Sequence, residues 1–236
     1  MTDGDDTPDS PGTPDSPGTP DTPQTVETVE TVGTDAGPAR ITWHPARAER
    51  LVLAVSHGAG GGIGARDLVA LAAVLPAHGV TVALVEQPWR VAGKKVAPAP
   101  KTLDTGWRGL WPALAARGLP VIAGGRSAGA RVACRTALEL GAAAVLALSF
   151  PLHPPGRPEK SRAGELLGAG VPTLVVQGGN DPFGRPAEFP PGGAYTLVEV
   201  PYADHGLAVP KAAPLSQGEA VTIVTDRVVE WAQGLR

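Results

Sequence analysis

The sequence predicts an α/β domain built on a mostly parallel β-sheet with helices on both faces. Six apolar, strand-like runs recur, at 51–56, 80–86, 119–124, 143–149, 172–177 and 195–200. Several are apolar throughout and do not alternate, so both faces of those strands must be covered. Segments with helical spacing fall between or after them, at 65–78, 106–117, 127–140, about 161–167 and 218–233. Strands that alternate with helices give parallel neighbours joined by right-handed crossovers.

The first 38 residues stand apart from this pattern. They hold seven Asp and two Glu and no Lys or Arg, so a chain of 236 residues with net charge −3 carries a domain of about +6 behind an acidic tail. The tail opens with the hexapeptide Thr-Pro-Asp-Ser-Pro-Gly, twice intact and once altered, from residue 7. It continues with three Thr-Val pairs. Proline at every third position forbids helix, and nothing there is large enough to form a core. Residues 1–38 are therefore expected to be a disordered acidic tail, open to a protein partner, and 39–236 to be one domain.

Within the domain, 41–43 adds a strand at the entering edge. Strand 51–56 runs into His57-Gly58-Ala59-Gly60-Gly61-Gly62, and five glycines among residues 58–64 let the backbone approach a ligand closely. The loop lacks both G-x-G-x-x-G and a following Gly-Lys-Ser/Thr, so nucleotide binding is the weaker reading. Strand 80–86 leads to the basic loop 89–103, with Arg90, Lys94, Lys95 and Lys101 near the expected pocket mouth. Strand 119–124 ends in Gly124-Gly125-Arg126-Ser127-Ala128-Gly129, ahead of a helix-forming run free of Gly and Pro. A G-x-S-x-G lodged between strand and helix is a nucleophile elbow. Its glycines are needed because an abrupt strand-to-helix reversal leaves no room for Cβ atoms.

A serine hydroxyl needs a base, and the base needs an orienting acid. In a parallel sheet, sites form beyond the carboxyl ends of the strands. The strand ending at Gln177 delivers Asp181 on a tight loop, and the next strand delivers His205. The chain order Ser127, Asp181, His205 matches the scheme in which a serine, an acid and a histidine follow successive strands. Asp204, adjacent to His205, points the wrong way to orient it. The two oxyanion donors are expected to be the N–H groups of Ala128 and of Ala59, with Gly60 as a further candidate. Arg90, Arg126, His153 and Phe183 are candidate substrate contacts, although a salt bridge is the ordinary role for Arg126 and a rim position for His153. Neither a cofactor nor a metal is called for. Cys134 lies two turns along the elbow helix and is expected to be an inert buried thiol.

These motifs resemble the α/β-hydrolase superfamily, over about residues 40–235. Within it the chain is similar to the small cap-less family related to dienelactone hydrolases, which includes the testis-expressed and chromatin-complex-associated hydrolase-like proteins. The resemblance rests on His57-Gly58-Ala59-Gly60, the 124–129 elbow, Gln177-Gly178 with Asp181-Pro182-Phe183-Gly184, and Asp204-His205-Gly206. It implies a minimal α/β-hydrolase fold with no cap domain. Dienelactone hydrolases carry cysteine at the elbow, where this chain has Ser127.

The reading that follows is a serine hydrolase of small carboxylic esters or thioesters. The alternative is an interaction module on the same scaffold, with the acidic tail as its working part. No apolar run approaches 18 residues and no Lys/Arg stripe carries interleaved aromatics, so neither membrane nor nucleic acid is an expected partner. One cysteine and an acidic start suit the cytoplasm.

Overall fold

The chain enters its sheet earlier than composition suggests. The computed structural model describes Met1 and residues 27–235, so the hexapeptide repeats lie outside the described residues. Thr28–Thr34 forms strand β1, which pairs antiparallel with β2 (Gly37–His44) from Thr28↔Trp43 to Thr34↔Gly37. The boundary expected at residue 38 is thus corrected to one ahead of β1. The Thr-Val repeat that looked like more tail is a run of β-branched residues, the composition that favours a strand. It contributes Val32 to the core, and the Trp43 indole donates to Glu30 at 2.9 Å. The turn closes at Gly37, with φ +110°, and there the Thr34 hydroxyl donates to the Gly37 carbonyl.

Eight strands form one sheet in the order β1-β2-β4-β3-β5-β6-β7-β8. After β1 and β2 come β3 (Leu51–Ser56), β4 (Val80–Glu86), β5 (Val121–Arg126), β6 (Ala144–Leu148), β7 (Thr173–Gly178) and β8 (Tyr195–Val200). From β4 to β8 every neighbouring pair is parallel. Three of the expected runs match their strands to the residue, and the other three shift by two residues or fewer at either end.

Apolar residues along these strands divide between two cores. On β3, Val52 and Ala54 face one side; Leu51, Leu53 and Val55 face the other. The first side is covered by α2 (Pro88–Val91), α3 (Pro100–Ala115), α4 (Ala128–Leu140) and α5 (Ala163–Leu167), with Trp107, Leu110 and Phe150 fully buried. The second is covered by α1 (Arg66–Val74) and α6 (Gln217–Gly234). Unbroken apolar strands are what this double burial requires.

Helix α3 starts six residues before the expected 106, because Pro100 occupies its first turn, where a missing N–H costs nothing. It runs close against β1: a Cβ on Gly109 would lie 2.6 Å from the Thr34 Cβ. A chain starting at residue 39 is therefore expected to be less stable than one starting at residue 27, by about 2–4 kcal/mol of lost ladder bonds and apolar cover. Melting temperatures of the two chains check this, and equal values would restore the boundary at residue 38.

Candidate active site

The ends of β3, β5, β7 and β8 bring the expected residues together. The elbow is built from close backbone approach. A Cβ on Gly125 would stand 2.3 Å from the Gly129 carbonyl carbon; one on Gly129 would stand 2.6 Å from the Ser56 hydroxyl. Between them Ser127 adopts φ 53° and ψ −109°, backbone angles that L-residues rarely take. The turn is held by the Ser127 N–H donating to the Leu148 carbonyl at 2.9 Å. Gly125→Ala is expected to cost at least about 3 kcal/mol of stability, since the clash is with backbone that cannot rotate away. Urea unfolding measures this, and a loss under about 1 kcal/mol would show the elbow to be looser than its backbone contacts require.

Ser127 Oγ lies 2.9 Å from His205 Nε2, and His205 Nδ1 lies 2.8 Å from Asp181 Oδ2. Asp181 is fully buried. Its Oδ2 also accepts from the Gln177 amide at 2.8 Å, and its Oδ1 accepts from the Phe183 N–H at 2.8 Å. The Phe183 ring packs on the imidazole of His205 with centroids 4.2 Å apart. Asp204 is occupied elsewhere: its Oδ1 accepts from the N–H groups of Gly206 and Ala208 at 2.7 and 2.9 Å.

Arg126 turns away from the serine. Its Nε sits 3.2 Å from Asp67 Oδ2, and an Nη donates to the His205 carbonyl at 2.7 Å. Burial pushes the Asp67 carboxyl above its ordinary pKa, and the adjacent guanidinium pulls against that rise. Arg126 thus ties the histidine loop to α1, the salt-bridging role that the sequence makes ordinary for it. His153 is also committed, with Nε2 3.1 Å from Glu188 and Nδ1 3.0 Å from the Pro154 carbonyl. Arg90 is exposed and lies over the glycine loop, where a Cβ on Gly62 would be 3.6 Å from its Nε.

Ala59 and Ala128 line one narrow crevice of about 10 Å³, together with Trp89, Leu103 and Val132. The Ala59 N–H donates to no acceptor among the described residues. That of Ala128 opens α4, where first-turn N–H groups lack intrahelical partners. Gly60 is exposed and lies outside the crevice. Gly58 must stay bare, because a Cβ there would come within 3.2 Å of the Ser127 Cβ. His57 braces the loop: its Nδ1 bonds the Gly58 carbonyl at 2.9 Å and its Nε2 accepts from the Gln87 N–H at 3.3 Å. Burial lowers its pKa and keeps the ring neutral.

Cys134 is buried on α4, and burial pushes its thiol up to about 12. Below it Arg131 and Arg135 converge on Glu165, and Arg135 also grips Asp104, so α3, α4 and α5 are clamped behind the elbow. A wider groove between β8 and α6, lined by Leu197, Ile223 and Trp231, contains none of these residues. No helix among the described residues is long and apolar enough to cross a membrane.

Fold and site together define a cap-less α/β domain with a serine at an elbow beside a half-buried histidine that is paired with a buried carboxylate. The profile of the family described as "Alpha/beta hydrolase domain" matches residues 47–233, and the chain belongs to that family. Solved structures agree on the fold. A dienelactone hydrolase from Anabaena variabilis superimposes with TM-score 0.68 at 20% identity, over 90% of this chain and 100% of that one. An α/β serine hydrolase without a lid from Xanthomonas campestris gives 0.65 at 18%, over 88% and 95%. Est1E from Butyrivibrio proteoclasticus gives 0.64 at 15%, over 88% and 98%. No curated protein matches the chain in sequence.

Two residues that matter to this geometry escaped the sequence reading: Asp67 and Gln87. Each is a polar side chain at the end of an apolar strand or inside an apolar helix face. Burial of a polar group that must then be satisfied is the one signal the sequence offered.

Proposed function

We propose that the protein hydrolyses small carboxylic esters or thioesters by acyl transfer through Ser127. The observation that carries this is the continuous hydrogen-bonded chain from Ser127 Oγ through His205 to the buried Asp181. His205 holds a proton on Nδ1 against Asp181 and accepts the serine proton at Nε2 as Oγ attacks the carbonyl carbon. The oxyanion that forms is stabilised by the N–H groups of Ala128 and Ala59. On collapse, His205 returns the proton to the departing alcohol or thiol. A water molecule then repeats the sequence on the acyl-serine, frees the carboxylic acid and restores the enzyme.

A small substrate is favoured because Trp89, Leu103 and Val132 leave only about 10 Å³ beside Ala59 and Ala128, with no room there for a long acyl chain. Arg90, exposed over the glycine loop, is placed to meet the outer part of a substrate. The one cysteine, buried and unreactive, suits a reducing compartment such as the cytoplasm. Hydrolysis of p-nitrophenyl acetate, butyrate and octanoate tests the reading. Turnover should be measurable for acetate and butyrate and fall at least tenfold for octanoate. No turnover of any ester by well-folded protein would overturn it in favour of an interaction module.

A further inference from the structure

The β8 edge of the sheet is a surface that the reaction leaves without a use. Among the described residues β8 has β7 as its one neighbour, so the outer side of Tyr195–Val200 meets no strand. Edge strands that stay single are commonly blunted by lysine, proline or a bulge. β8 has none of these, and its ladder with β7 is regular from Thr173↔Tyr195 to Gly178↔Val200. Apolar grooves flank it on both faces. One of about 650 Å³ on the α6 side is lined by Leu197, Val198, Ile223 and Trp231, with Arg227 and Glu230. The other, of about 460 Å³ on the α5 side, is lined by Leu166, Leu167, Val171, Pro172 and Tyr195. Helix α6 carries two stripes: Ala220, Val224, Val228 and Ala232 are buried against the sheet, whereas Ile223, Arg227, Glu230 and Trp231 face the groove. Apolar surface on both sides of an open strand marks an interface.

The charges on that surface point to its occupant. Arg227 Nη1 lies 2.8 Å from Glu230 Oε2 on the exposed side of α6, so the stripe carries one cation and one anion about a turn apart. A partner of a single charge sign would set like charges against half of it. A second copy of this chain does not. A two-fold axis normal to the sheet pairs β8 with β8 antiparallel and lays the two α6 helices antiparallel, so that each Arg227 faces the Glu230 of the other copy. Passed through Leu197, the axis sets Leu197 against Leu197 and Glu199 against Tyr195. Side chains then keep their faces of the sheet, and no like charges meet along the strand. We propose that the protein is a two-fold dimer joined edge to edge through β8, with α6 beside α6 and one continuous sheet across both copies. The assembly does not depend on the chemistry at Ser127.

The test is the mass of the full chain in solution, measured by size exclusion with multi-angle light scattering at roughly 20 μM, since dimers dissociate on dilution. The wild type is expected to show twice the mass of one chain. Leu197→Lys sets two ammonium groups against each other at the axis, and Arg227→Glu gathers only carboxylates where the helices meet. Each variant is expected to show the mass of a single chain, with circular dichroism establishing that it is folded. Two variants are used so that poor packing of lysine at position 197 does not decide the matter. Arg227→Glu combined with Glu230→Arg exchanges the charges and is expected to restore the doubled mass. A wild type with the mass of one chain, a doubled mass that survives both single substitutions, or a single-chain mass in the exchanged variant overturns the proposal.

Discussion

Replacing Ser127 with alanine is expected to lower kcat/KM for short esters by a factor on the order of 10⁴–10⁶ and leave the fold intact. The size of the loss follows from covalent chemistry. Without Oγ the bound ester has no nucleophile except water, which His205 must activate without the positioning that a tethered hydroxyl enjoys. The fold survives because the elbow is maintained by backbone and not by the hydroxyl. The Ser127 N–H still reaches the Leu148 carbonyl, and the Gly125–Gly129 approach is untouched. Alanine takes φ 53° no less readily than serine. Ester assays and thermal melting check both halves, and more than about 1% residual kcat/KM would mean that another group attacks.

Asp181→Asn is expected to lower kcat by something on the order of 10³–10⁴ in a folded protein. The substitution keeps volume and removes charge. The asparagine oxygen can accept from Gln177 or from Phe183 but not from both, and an amide cannot offset the imidazolium that forms as His205 takes the serine proton. An amide that presents its NH₂ to Nδ1 would also favour the tautomer with the proton on Nε2, which cannot act as base towards Ser127. Asp204→Asn serves as the comparison. Its carboxylate caps the turn through Gly206 and Ala208 and touches neither imidazole nitrogen, so kcat should change less than tenfold. If the two substitutions were equally damaging, the acid would have been misassigned.

Much of this site was legible from residue order alone. A G-x-S-x-G between an apolar run and a helix-forming run fixes where the chain must reverse, and each later apolar run ends in a residue that can fill one remaining role. Those inferences rest on local pattern, and local pattern survives folding. Edge strand β1 was not legible, because Thr and Val in an acidic stretch next to proline repeats carry the composition of a tail. Its ladder with β2, Val32 against the core and the cover of α3 over Thr34 hold it in the sheet, and none of these shows in composition. The role of Arg126 was also out of reach. It depends on Asp67 and on the His205 carbonyl, 59 and 79 residues away in the chain and next to each other only once β5, α1 and the β8 loop have assembled. Gln87 escaped for the same reason: its part is a backbone N–H offered to His57 Nε2, 30 residues away in the chain.

The central claim, that Ser127 is an activated nucleophile, is tested most directly by a fluorophosphonate probe followed by mass spectrometry of the modified peptide. Phosphonylation requires an ionisable hydroxyl with a base beside it and open access from solvent, and Ser56 and Ser149 are fully buried. A single modified peptide carrying the label on Ser127, abolished in Ser127→Ala and strongly slowed in Asp181→Asn, is the predicted result. Labelling on Ser56 or Ser149, or no labelling of well-folded protein, would contradict the account.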